Sequence, residues 1–226
     1  AIASTSGIRG VDRGASCAVS TQPLARVDGE TQVGAAHDGG RDPEALDLDR
    51  VAGEAVERAT RLLGATKPPS GRLTIVLEPR LALTLLGIVS GMLAGDVVLK
   101  GRSPFGDRLG EQIASPLLGL VDDPTRAESL GSEEIDGEGL ACRPNDLIVD
   151  GVLQGFLRDS YTGRRTGLGS TASAVRGTRS LPGVGAQVLV MRPGERPLAE
   201  LVASTGHGLF VNSFTGLHSG VNAVSG

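Results

Sequence analysis

Glycine occurs 34 times in these 226 residues, and it sets the first limit on the fold. A glycine inside a helix costs roughly 1 kcal/mol relative to alanine, because it gives up the most backbone freedom on ordering. A helical bundle is therefore disfavoured. Only 2% of the residues are aromatic while 39% are apolar, so the core must be aliphatic. Short strands joined by tight turns satisfy both conditions, and residues 1–36, with their small, polar and apolar positions broken by glycine, read that way.

Two segments run against this background. After Pro43, the residues Leu48, Val51, Ala55, Ala59 and Leu62 recur at helical spacing. Acids come early, Arg58 and Arg61 late, and Gly64 stops the run, which predicts an amphipathic helix. The stretch TKPPSG (66–71) is a turn, since its prolines fix φ and remove donors; the domain boundary falls here. RLTIVLE (72–78) then reads as a buried strand, and Pro79 opens an apolar helix running to about Leu93.

Past Gly95 the pattern becomes irregular, with charged loops over 100–116 and 122–140. Strands return at 146–157, 186–191 and 208–212, and a short helix is expected near Leu198 to Ser204. The expected fold class is α+β. A small N-terminal α/β part (1–68) precedes a larger, mainly antiparallel, β-rich domain (69–226) that is truncated at its end. With no opening Met and an ordered-looking final stretch, the chain is expected to be a fragment.

Charge narrows the range of partners. The formal net charge is −4 and the isoelectric point about 5.4, which disfavours direct, sequence-independent nucleic-acid binding. Cys17 and Cys142 show no CxxC spacing, so a reducing, cytoplasmic setting is expected. The longest mainly apolar run, Leu81 to Val89, is about half of what a membrane span requires.

No local spacing builds a catalytic centre. His37, His207 and His218 lie far apart in sequence, without the HExxH arrangement that sets two imidazoles on one helix face. Ser219 follows His218, but adjacent strand residues point to opposite faces and no G-x-S-x-G elbow surrounds it. Cys142 has Arg143 beside it, a charge able to depress a thiol pKa. The segment 155–180 gathers Arg158, Arg164, Arg165, Arg176 and Arg179 with the only tyrosine, Tyr161, and can grip carboxylates or a peptide backbone. GLGST (167–171) lacks the Lys-Ser/Thr pair of a phosphate loop. Glu133, Glu134, Asp136 and Glu138 read as a charged loop surface.

GVLQGFLRDSYTGRRTGLGSTASAVRG (151–177), PGVGAQVLVMRPG (182–194) and GLFVNSFTGLHSGVNAVSG (208–226) together resemble the C-terminal domain of the TldD/PmbA family, once called modulators of DNA gyrase. The resemblance also takes in 54–72 and 129–140, and so most of the chain. In this family the TldD-type subunit carries an HExxxH zinc helix, which the resemblance places on TLLGIVSGMLAGD (84–96). There the two histidines become Leu86 and Gly91 and the glutamate becomes Gly87. None of these can ligate zinc or move a proton.

The resemblance therefore implies a non-catalytic, TldE/PmbA-type subunit of a cytoplasmic metalloprotease acting on unfolded peptides. It implies no cofactor in this chain, and zinc in a TldD-like partner. The expected partner is that subunit or a second copy of the chain. Tyr161, Arg164, Arg165 and His218 are the expected substrate or partner contacts. Two other readings compete: a self-sufficient peptidase or hydrolase using Cys142 or His218, and a gyrase-associated regulatory binding protein.

Overall fold

The computed structural model describes residues 2–5, 7–11, 13–214 and 216–217, which form two compact units. Residues 13–71 with 128–130 make the smaller one, and the remaining described residues make the larger. The chain opens in the larger unit with a short antiparallel ribbon of β1 (Ile2–Ala3) and β2 (Arg9–Gly10).

In the smaller unit, β3 (Cys17–Thr21) pairs antiparallel with β6 (Ala36–Gly40), and β4 (Leu24–Val27) with β5 (Glu30–Val33). The β4–β5 turn is Asp28-Gly29, both at positive φ (48° and 87°), the geometry whose twist matches a two-residue hairpin. Helix α1 (Leu48–Thr60) is capped by the Asp47 carboxylate and buries Val51, Ala55 and Ala59. Small side chains on that face let the backbone come close. A Cβ on Gly34 would overlap the Ala55 carbonyl and the Ala59 amide, so only glycine fits there.

In the larger unit, strand β7 (Thr74–Leu77) leads directly into helix α2 (Pro79–Met92). A short helix α3 (Gly95–Leu99) follows, in a stretch expected to be irregular. The central sheet has the order β10 (Val152–Leu153), β9 (Asn145–Val149), β8 (Leu120–Asp122), β13 (Leu189–Met191), and every pairing in it is antiparallel. The other elements are helix α4 (Ser160–Thr166), the pair β11 (Ala174–Val175) and β12 (Gly183–Val184), and helix α5 (Leu198–Ser204). Finally, β14 (Gly208–Val211) pairs parallel with β7. The fold is thus α+β with mostly antiparallel pairing.

Leu93, Leu120, Leu147, Ile148, Leu153 and Leu157, all buried, make the core of the larger unit. Consecutive residues of a strand point to opposite faces, so burial of both Leu147 and Ile148 means that β9 is covered on both sides. Burying each such side chain contributes roughly 1.5–3 kcal/mol. No helix among the described residues is long and apolar enough to cross a membrane.

Asp122 has no exposed surface. Its Oδ1 accepts hydrogen bonds from the Gln187 and Val188 amides, both at 2.8 Å, while Oδ2 has no partner. Burial raises its pKa above the ordinary carboxylate value, against those two hydrogen bonds and with help from Asp123. A raised folded pKa makes the contribution of Asp122 to stability full below the unfolded value, about 3.9; it declines as pH rises through the folded one. Asp122→Asn, which keeps the acceptor and removes the charge, should melt at or above the parent temperature at pH 7 and lose that advantage near pH 4. Asp122→Leu leaves the part-buried Gln187 and Val188 amides without their acceptor, a loss of up to about 1–3 kcal/mol each, and should melt lower at both pH values. An Asn variant as damaged as the Leu variant contradicts this account.

Candidate functional site

Helix α2 starts where its sequence says it should. Glu78 accepts hydrogen bonds from the Arg80 and Leu81 amides at 2.8 and 3.2 Å, and Pro79 takes the first turn, where no donor is needed. At the other end the chain is clasped to the sheet side. The Leu157 amide donates to the Leu93 carbonyl at 3.0 Å, and the Gly95 amide to the Leu157 carbonyl at 2.8 Å. A Cβ on Gly95 would stand 2.7 Å from that carbonyl, so the clasp requires glycine.

The three positions of the resemblance to a zinc helix fall on two sides of α2. Leu86 packs against the leucine core. Gly87 and Gly91 are exposed, and a Cβ on either would meet nothing within 4 Å. The helix hydroxyls are turned inward on the helix itself: Thr84 donates to the Arg80 carbonyl and Ser90 to the Gly87 carbonyl, both at 2.9 Å. Zinc requires thiolate, imidazole or carboxylate donors, so these residues do not fit it. Among the described residues, no group of three or more His, Cys, Asp or Glu is placed to hold a metal ion.

The arginine-rich segment, for which the sequence showed no helical period, contains α4, and a capping box starts it. Asp159 Oδ1 accepts from the Thr162 amide at 2.7 Å, and the Thr162 hydroxyl accepts from the Asp159 amide at 3.0 Å, satisfying two donors that a helix start leaves open. Gly167, at φ 72°, closes the other end in the left-handed region. Thr162 and Gly163 are buried, and a Cβ on Gly163 would overlap the backbone at Gly169 and Ser170. The helix therefore lies directly on the returning 169–170 segment, with Tyr161, Arg164 and Arg165 exposed.

Two further guanidinium groups flank this unit. Arg158 donates from Nε to the Gly169 carbonyl and from Nη1 to the Phe156 carbonyl, at 2.9 and 3.0 Å. Arg143 donates from Nη2 to the Ser170 carbonyl. Burial lowers the Arg158 pKa, and the charge of Arg143 lowers it further, so the two cations are close. Sequence reasoning did not join Arg143 to this group. Its tie runs through a backbone carbonyl, which leaves no trace in residue types. Thr171 completes the turn by accepting from the Arg158 amide at 2.6 Å, which gives GLGST a structural role.

The remaining candidates do not converge. His37 lies on β6 and His207 between α5 and β14, both exposed. His218 and Ser219 lie outside the described residues. Asp136 is a turn anchor, accepting from the Glu138, Leu140 and Ala174 amides, and Glu138 accepts from the Ser160 amide at 2.8 Å. Arg176 sits elsewhere, lining a cavity of about 510 Å³ with Glu133, Asp136 and Ser180. Cys142 is half-buried, with Sγ 3.5 Å from Gln187 Oε1. Burial pushes its thiol up to about 11, with Asp136, Glu133 and Asp122 adding to the effect.

The PmbA/TldA metallopeptidase C-terminal domain family matches residues 70–226. A Haemophilus influenzae protein named as a metalloprotease TldD homologue is 33% identical over 209 residues, covering 88% of this chain and 43% of its own length. Metalloprotease PmbA of Escherichia coli O157:H7 is 30% identical over 124 residues, covering 55% of this chain and 28% of its own. Among solved structures, TldE from Thermococcus kodakarensis superposes with a TM-score of 0.81 at 25% identity, over 89% of this chain and 46% of its own. A Thermotoga maritima protein named for a suggested modulation of DNA gyrase gives 0.85 at 28% identity, over 92% and 47%. The chain thus spans less than half the length of each of these relatives. With residues 70–226 matched by that domain model, the chain belongs to the PmbA/TldD family of metalloprotease homologues.

Proposed function

We propose that this chain acts as a non-catalytic, TldE/PmbA-type subunit of a TldD/TldE-type metalloprotease that degrades unfolded peptides. The observation that carries this reading is the state of α2. The helix keeps its capped start and its clasp to Leu157, yet offers an aliphatic side chain and two bare glycines where a zinc helix has ligands and a general base. A hydrolytic metal centre needs donors to fix the ion and a base to take the proton of the attacking water. Neither chemistry is available from Leu86, Gly87 and Gly91, so in this proposal zinc and its base are supplied by a TldD-like partner.

The same reading assigns this chain the work of holding substrate or partner. Tyr161, Arg164 and Arg165, exposed on α4, are its proposed contacts, together with His218 beyond the described residues. The competing reading of a thiol peptidase is disfavoured by the Cys142 environment. A thiol raised to about 11 is ionised in about one molecule in ten thousand at pH 7, and its nearest polar partner is an amide oxygen, where a nucleophile needs a base.

Two measurements test this. Alkylation of Cys142 by iodoacetamide should be slow at pH 7 and accelerate about tenfold per pH unit towards pH 11; fast, pH-independent alkylation at neutral pH would restore the thiol reading. Incubated alone with an unstructured fluorogenic peptide, the full chain should leave it intact. Addition of a TldD-like protein bearing HExxxH should produce cleavage above that of the partner by itself. Cleavage by this chain alone, lost on Cys142→Ala, refutes the proposed division of labour.

A further inference from the structure

We infer that the arginine cluster around α4 is a docking site for an acidic polypeptide segment, one that presents two or three Asp or Glu carboxylates from an extended backbone. The inference deepens the contact role proposed above for α4 and rests on it.

Pairing is the first observation. Five arginines elsewhere in the chain are matched with acids: Arg50 with Asp38 and Glu54, Arg58 with Glu54, Arg61 with Glu57, Arg108 with Glu111, Arg192 with Asp150. Among the described residues, Arg143, Arg158, Arg164 and Arg165 form no ion pair. In a chain with 26 acidic residues against 22 basic ones, four guanidinium groups within residues 143–165 that meet no carboxylate at ion-pair distance run against its overall charge.

Preorganisation is the second. Arg143 and Arg158 are held by the Ser170, Gly169 and Phe156 carbonyls, close enough for one charge to depress the other's pKa. Backbone carbonyls offset that repulsion only partly, and an incoming carboxylate would relieve it. A guanidinium carries five N–H donors, so both arginines keep donors for a ligand after these bonds. The nearest carboxylates are already committed: Asp159 caps α4 and Glu138 accepts from the Ser160 amide.

Shape and size select the ligand. Tyr161, Arg164 and Arg165 stand at i, i+3 and i+4, and so share one helix face, where the exposed phenol adds apolar area and a hydrogen-bonding end. A seven-residue helix is about 10 Å long, the reach of roughly three extended residues. Guanidinium groups bind phosphate as readily as carboxylate, but one exposed tyrosine provides no stacking platform for bases. The chemistry therefore favours an acidic peptide over nucleic acid.

The test is isothermal titration calorimetry of the full chain with three probes at 50 mM and 500 mM NaCl. These are a nine-residue Gly/Ser peptide carrying three adjacent Glu, the same peptide with Gln for Glu, and a ten-nucleotide oligo-dT. The Glu peptide should bind at least tenfold more tightly than the Gln peptide at 50 mM salt, with the preference shrinking at 500 mM. Arg164→Glu/Arg165→Glu should abolish that preference without altering the circular dichroism spectrum or melting temperature, because both side chains are exposed and unbonded. Arg164→Lys/Arg165→Lys should retain part of it. Equal binding of the Glu and Gln peptides, no binding of either, or tighter binding of oligo-dT would each overturn the inference. If a TldD-like partner still yields cleavage while the Glu preference is absent, the docking chemistry is wrong and the subunit assignment stands; if neither is seen, both fall.

Discussion

The C-terminal end of α2 is pinned by two backbone hydrogen bonds to Leu157, and much else in the larger unit is arranged around that clasp. It brings the buried Leu93 and Leu157 together in one core. It requires a glycine at 95, because no side chain fits beside the Leu157 carbonyl. It also fixes where Arg158 and the Asp159 cap begin, one and two residues further on, so that α4 starts from a rigid point. Hydrogen bonds sealed under leucines are costly to leave unmade, and this junction holds a helix and a basic surface in register.

Seen from that junction, α2 serves two ends. One side of it, through Leu81, Leu86 and Met92, contributes to packing. The other side, at Gly87 and Gly91, is bare backbone open to solvent. Where the resemblance sets a zinc helix, α2 has a capped and packed scaffold, and Leu86, Gly87 and Gly91 offer no metal donor. Packing can be kept while chemistry is lost, because Leu86 satisfies the core as an apolar residue and the outward positions carry no packing load. The proposed subunit role follows from that separation, and binding work then falls to surfaces such as α4.

Much of the secondary structure was legible in the residues. The 48–62 periodicity became α1, the strand before Pro79 became β7, exposed at Thr74 and Ile75 where a buried strand was expected, and the helices beginning at Pro79 and Leu198 stand as read. What stayed hidden depended on contacts distant in sequence or on a single hydrogen bond. Helix α4 was masked by glycine and arginine, and its signal was an Asp159/Thr162 box three residues wide. The parallel pairing of β7 with β14 joins Thr74 to Gly208, and neither strand announces its partner. At the candidate site, residue types alone showed that Leu86, Gly87 and Gly91 offer no metal donor. The inward turn of Leu86, the outward turn of Gly87 and Gly91, and the recruitment of Arg143 to the α4 cluster required coordinates.

The central claim is that this chain's own side chains cannot hold the metal of its family. Titration of zinc into the full chain at pH 7, after removal of bound metal, with the bound stoichiometry read by elemental analysis, addresses it most directly. The account predicts no stoichiometric zinc retained after dialysis, and no change in that result for Leu86→Ala. One tightly held zinc per chain would contradict it.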